Sequence, residues 1–151
     1  MDDKIETSAE MAESDVLRVG NAVHTDGTTS PEQHPLPVAV GKKPVAKKSP
    51  AEWAYQRLIL YIQNFEKTLD ENHEVAMGFT DTGAGVLRIQ GMGHFDPDIV
   101  TFYGTDQTGS KVQLVQHVSQ LNVLLRATPK PSPEKEPIRI GFKLEQALES
   151  D

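Results

Sequence analysis

The hydrophobic period of this chain changes once, near residue 70, and that change restricts the fold more than any other feature. Before it, Ala54, Leu58, Tyr61, Ile62, Phe65 and Leu69 recur at spacings of four, three, one, three and four. That is the one-sided stripe of an amphipathic helix. Gln56, Gln63, Asn64, Glu66 and Lys67 fall on the opposite side. Ser49 suits the N-cap, Pro50 the first helical position, and Glu52 completes a capping box three residues after the cap. Trp53, in the first turn, carries enough area to seal a core edge.

After residue 70 the period becomes two. In "EVAMGFT", Val75, Met77 and Phe79 alternate with Glu74, Ala76, Gly78 and Thr80. "VLRIQ", "IVTFYG", "KVQLVQHV" and "NVLLRA" read as four more strands, rich in β-branched and aromatic residues. "DTGAG", "HFDPD" and "TDQTGS" have turn composition. The pattern predicts a mainly β fold with one N-terminal helix: a small, strongly bent, antiparallel five-stranded barrel over residues 49–128, capped by the helix. Gly78, Gly91, Gly93 and Gly104 mark places where such a sheet would bend.

The flanks read differently. Hydrophobic residues make up 37% of the chain, below the roughly 45–50% apolar usage of globular proteins. Residues 1–48 mix Glu, Ser, Thr, Pro and Gly, and such a segment buries too little to offset its ordering entropy. It reads as disordered, acidic at first and then lysine-rich in "KKPVAKK". That stretch reads first as a solvated linker; the alternative is that Lys42, Lys43, Lys47 and Lys48 form an electrostatic tether for an acidic partner, nucleic acid or an anionic membrane. Residues 129–151 read as a proline-rich linker, then an edge strand or docking peptide "IRIGF", and a tail.

Charge and composition exclude several classes. A formal net charge of −7 disfavours RNA and other nucleic acid as partners, because phosphate attraction needs clustered Lys and Arg. With no cysteine, disulfides and thiolate metal sites are ruled out. The acidic start lacks the apolar run of a secretory signal, and no stretch reaches the roughly 20 apolar residues of a membrane span. A cytoplasmic location follows as the expectation.

Two resemblances rest on these residues. "VLRIQGMGHFDPDIVTFYGTDQTGSKVQLVQHVSQLNVLLRA" resembles the core of a family of small, uncharacterised bacterial proteins, mainly from alphaproteobacteria, to which no activity is attached. The order of helix and strands, with "VQHVSQLNVLL" joining the last two, is similar to the Sm-like fold, which includes the bacterial RNA chaperone Hfq. The resemblance implies RNA contact by a Lys-His pair at the end of the fourth strand. His117 matches the histidine, whereas Gln116 stands where the lysine belongs.

"GMGHFDPDIVTFYG" holds the densest potential chemistry. If it were extended, His94, Asp96 and Asp98 would share one face and offer an imidazole and two carboxylates to a cation or to acid–base work. Pro97 between the carboxylates argues instead for a turn. Asp81 in "DTGAG" has the triplet of aspartic proteases, but reads first as a hairpin turn. Ser119, His117 and Asp106 are triad residue types without a nucleophile elbow. No phosphate-binding glycine motif is present, and no cofactor is implied.

The reading is therefore a non-enzymatic binding or assembly barrel that contacts an unknown protein partner, or another copy of itself, through one rim. Gln90, His94, Asp96, Gln116, His117 and Gln120 are the candidate contacts. The alternatives are a Sm-like RNA binder, and a hydrolase or metal-dependent enzyme built on Asp81 or on His94, Asp96 and Asp98.

Overall fold

The computed structural model describes residues 22–34, 37, 40, 47–79 and 85–149. The elements run α1 (Pro50–Glu66), β1 (His73–Phe79), β2 (Val86–Phe95), β3 (Ile99–Thr105), β4 (Lys111–His117), β5 (Val123–Pro129) and α2 (Ile140–Glu149). Short 3-10 turns form at Pro31–Gln33 and Val118–Gln120.

Helix α1 starts as its sequence dictates. Ser49 is extended, its hydroxyl accepts from the Glu52 N–H at 3.0 Å, and Pro50 opens the first turn. The buried stripe is rotated from the expected one. Ala51, Ile59 and Ile62 lie in the core, Leu58, Phe65 and Leu69 pack at its margin, and Tyr61 faces out. Glu66, expected on the wet side, is buried because α2 crosses the helix there. Gln56 is buried as well, without a partner for its amide oxygen among the described residues; nothing in the packing explains it. Trp53 does not seal a core edge. Its ring is in contact with two cations, the Lys48 ammonium at 4.2 Å and the Arg57 guanidinium at 4.3 Å from its centroid.

The five strands form one antiparallel sheet in the order β4-β3-β2-β1-β5. β2 is the longest strand, at ten residues, and is shared. Its start pairs with β1 (Met77 with Leu87, Gly78 with Val86), and β3 pairs along most of it. The register slips between Ile89 and Gly91, so Gln90 is bulged out and the sheet turns there. Gly91 and Gly93, expected as bend points beyond the strand "VLRIQ", extend β2 past the bulge and pair with Tyr103 and Thr101. Phe102, Val100, Leu87, Ile89, Met77, Phe79 and Val75 make the inner face, with Phe79 and Phe102 in edge contact at 4.8 Å. Gly104 admits no larger residue, since a Cβ there would lie 2.1 Å from the Arg88 carbonyl oxygen.

Two expectations are corrected. The sheet is not closed into a barrel: β4 and β5 end the strand order, and no ladder joins them. After β4 the chain passes one 3-10 turn and lays β5 on the far side of β1, in seven register pairs from His73 with Pro129 to Phe79 with Val123. Among the described residues there are also two helices of several turns, not one, so the architecture is mixed α and β. "IRIGF" is not an edge strand: Ile138 and Arg139 lead into α2, in which Ile140 and Leu144 are buried and Leu148 packs at the core margin, spaced by four.

Glu66, Glu74 and Arg139 help hold α2 and the residues that lead into it. Glu66 Oε1 accepts from the Gly141 N–H at 2.9 Å, and Glu74 Oε2 accepts from the Ile138 N–H at 2.8 Å. Glu74 Oε1 also accepts from Arg88 at 2.7 Å. Arg139 donates to the carbonyls of His73 and Asp70 at 2.6 and 2.8 Å. Burial pushes the Glu66 carboxyl above its ordinary range, against the opposing pull of the Gly141 and Ile140 N–H groups and Arg139. Among the described residues no helix is long and apolar enough to cross a membrane.

Candidate functional site

The turn Asp96-Pro97-Asp98 gathers most of the residues that the sequence singled out, and uses them as a joint. Asp96 Oδ1 accepts from the Ser49 hydroxyl at the start of α1, and lies 3.2 Å from His94 Nδ1. The Pro97 carbonyl accepts from the Ala51 N–H at 2.9 Å. The Asp98 carbonyl accepts from the Val118 N–H at 2.8 Å, and its carboxylate meets His117 Nε2 at 3.0 Å. Gln120 Oε1 accepts from the His117 N–H at 2.9 Å. The His94 ring also stacks obliquely on Tyr55, with centroids 5.1 Å apart. One turn thereby ties α1, the β2–β3 hairpin and the β4–β5 connection together.

Ser119, His117 and Asp98 line up as hydroxyl, imidazole and carboxylate, since the Ser119 hydroxyl lies 2.8 Å from His117 Nδ1. The chemistry of a catalytic triad does not follow. The His117 and Asp98 side chains are 46% and 40% exposed, so solvent screens the pair. The same Nδ1 accepts the Ser119 backbone N–H at 3.1 Å, which makes the histidine the cap of its 3-10 turn. Asp106, the acid considered from sequence, instead accepts from Thr108 and Ser110 and fixes the β3–β4 hairpin. The Thr108 hydroxyl, with backbone N–H groups behind it, holds the Asp106 carboxyl below its ordinary range.

The metal or hydrolase reading of His94, Asp96 and Asp98 is corrected. The turn splits the carboxylates, sending Asp96 to the helix cap and Asp98 to the end of β4. Among the described residues no three His, Asp or Glu side chains are placed to share an ion. Asp81 lies outside the described residues, as do Lys42 and Lys43. Lys47 is exposed, whereas Lys48 is buried and donates to the Val40 carbonyl. Gln90 is exposed at the bulge. Gln116 points inward from β4, buried, its amide oxygen without a partner among the described residues.

A cavity of about 560 Å³ lies between α1 and α2, bordered by Leu60, Gln63, Glu66, Lys67, Arg139 and Phe142. Much of its polar wall is already engaged: Glu66 and Arg139 hold α2, and Gln63 donates to Glu145.

A different surface went unnoticed in the sequence. The outward side of β2, β3 and β4 carries Phe95, Tyr103 and Val115, which are 75%, 41% and 56% exposed. Register sets them around a strip without side chains, with Gly91 beside Tyr103, Gly93 beside Thr101, and Thr101 beside Val115. This face borders the edge of β4, which pairs with no further strand among the described residues. The available signal was parity: in "IVTFYG" and "KVQLVQHV", Tyr103 and Val115 have the opposite phase to Phe102 and Leu114, so both faces are partly apolar.

The barrel rim and the Sm-like RNA site are corrected on the same geometry. The sheet is open, and the position that would carry the phosphate-binding lysine is Gln116, facing the core. Neither a curated protein nor a solved structure matches the chain. One family model does match, and it supports neither an alphaproteobacterial restriction nor a Sm-like relationship. Residues 43–143, more than half of the 151, match the family of unknown function DUF6173, and the chain belongs to that family.

Proposed function

We propose that this domain works through protein contact, and that the contact runs along β4 and the outward face beside it. The observation behind this reading is the exposure of Phe95, Tyr103 and Val115 on one face, over a glycine strip and next to a strand edge that no other described strand covers. A free edge presents unpaired N–H and C=O groups to any extended segment, and neighbouring apolar side chains add area and selectivity. His117, at the end of β4 on the same side, borders this surface, and Gln120 follows it in the adjoining turn. The net charge of −7 directs the reading to protein rather than nucleic acid.

The test places a photo-cross-linking residue at Gln113, in the exposed middle of β4, in the full chain within its host. A discrete adduct that vanishes when Val115→Lys is added supports the reading. Absence of any adduct, or an adduct indifferent to Val115→Lys, overturns it.

A further inference from the structure

We propose that the occupant of the β4 edge is a second copy of this chain, paired antiparallel with β4 about a two-fold axis at Leu114. This rests on the reading above and names the partner. β4 has seven residues, Lys111 to His117, with Leu114 at its midpoint. Antiparallel pairing with itself in full register sets Leu114 against the partner's Leu114, Gln113 against the partner's Val115, and Lys111 against the partner's His117.

Three observations favour a copy of the chain as occupant. First, charge is self-complementary along the strand. Lys111 stands at one end, and at the other Asp98 is held on His117 at 3.0 Å. The antiparallel copy therefore sets an ammonium against the partner's His117–Asp98 pair at each end, on the outward face that Lys111, Gln113, Val115 and His117 share. Directly opposed side chains sit about 4.5–5.5 Å apart at Cβ, well within the reach of lysine. Second, the apolar residues match themselves. Val115, 56% exposed alone, lies diagonal to the partner's Val115 across the axis, and the half-buried Leu114 meets its own counterpart on the core side. A slip of one residue would turn these faces over.

Third, the edge lacks the usual deterrents to pairing. It has no proline, bulge or inward-pointing charge, and its one lysine is at the end, in the position that the pairing uses. The other free edge, β5, carries Arg126 and ends in Pro129, and is blunted accordingly. A pairing of one patch with itself closes at two chains.

Because the natural chain has no cysteine, single introduced thiols report the register without interference. Opposed residues in an antiparallel ladder have Cα atoms about 4.5 or 5.5 Å apart, within the range a disulfide spans. A mixture of full-length Gln113→Cys and Val115→Cys chains is expected to oxidise to a mixed covalent dimer. Each variant alone is expected to yield far less, since like positions across the axis are diagonal. Both positions face solvent, so the fold is not at stake.

Sedimentation of the unmodified chain at tens of micromolar, in physiological salt to screen the net charge, is expected to give two-chain particles. Val115→Lys is expected to return them to single chains without altering the circular dichroism. A monomer at every concentration overturns the inference, as does a dimer indifferent to Val115→Lys, a larger assembly, or cross-linking equally efficient in the unmixed variants. If the chain stays monomeric yet Gln113 still gives a Val115-dependent adduct with another protein, the docking edge stands and the self-pairing falls.

Discussion

Three glycines of the sheet should respond to one added methyl group in a strict order, and the order follows from distances. Gly104 pairs with Ile89, just before the register slip in β2. A Cβ at 104 would lie 2.1 Å from the Arg88 oxygen, 2.9 Å from its carbonyl carbon and 3.2 Å from Ile89 Cα. All three are backbone atoms, so no rotamer relieves the clash and β2 must move off β3. Losing two ladder hydrogen bonds costs about 2 kcal/mol, and the overpacking itself about 1–3 kcal/mol. The expected loss for Gly104→Ala is thus about 3–5 kcal/mol, a large share of the roughly 5–15 kcal/mol of a typical domain.

At Gly93 the obstacle is the Thr101 hydroxyl at 2.9 Å, which can rotate away, so the expected loss is below about 1 kcal/mol. At Gly91 the nearest atoms belong to Tyr103, at 3.8 and 3.9 Å, an ordinary contact. There alanine gains about 0.4–1 kcal/mol through the unfolded chain. None of the three has a positive φ, so alanine meets no backbone penalty. Thermal melts followed by circular dichroism separate the three. Gly104→Ala is expected to melt at least about 12 °C below the natural chain, at roughly 4 °C per kcal/mol. A Gly104→Ala midpoint within about 3 °C of the natural one, or a Gly91→Ala midpoint lowered as far, refutes the bulged geometry of β2 on β3.

Other expectations follow from the same structure. Burial raises the Glu66 carboxyl in the folded chain, so its contribution is fullest below the unfolded pKa and is lost as pH rises through the folded one. The slope is at most about 1.4 kcal/mol per pH unit. Glu66→Gln keeps an acceptor for Gly141 and should remove that component from stability measured by urea titration against pH; an unchanged pH profile contradicts it. Zn²⁺, Mn²⁺ or Mg²⁺ at millimolar concentration should leave the melting midpoint where it was, whereas a clear rise would reveal a tight site. Phe102→Ala, in the core, should cost about 3–5 kcal/mol in urea unfolding. The exposed Phe95→Ala should cost about 0.5 kcal/mol or less, and comparable losses at both positions would contradict the assigned faces.

Local chemistry was legible in the sequence where one residue decides the outcome. Ser49 and Pro50 start α1 as written, Asp-Pro-Asp makes a turn, and alternation locates β1, β3, β4 and β5. What could not be read depends on neighbours distant in the chain. Glu66 looks solvent-facing until α2 crosses it, and Ile138 and Ile140 look like strand residues until the spacing of Leu144 and Leu148 is given weight. Gly91 and Gly93 read as bend points past the end of a strand, yet extend β2, because the bulge at Gln90 resets the ladder beyond it. Whether a bent sheet closes rests on which strand β5 joins, and nothing in "NVLLRA" names β1 as its partner. The same limit applies to the site. His94, Asp96, Asp98 and His117 do meet at one turn, but their partners, Ser49 and Ser119 among them, turn apparent chemistry into structure.

That β4 pairs with a second copy of the chain is tested most directly by hydrogen–deuterium exchange of its backbone amides at low and high protein concentration. The expected result is protection of the outward amides of Lys111–His117 that grows with concentration, while those on the free edge of β5 exchange at one rate throughout. Exchange along β4 that is independent of concentration, or protection that grows on β5 instead, would contradict it.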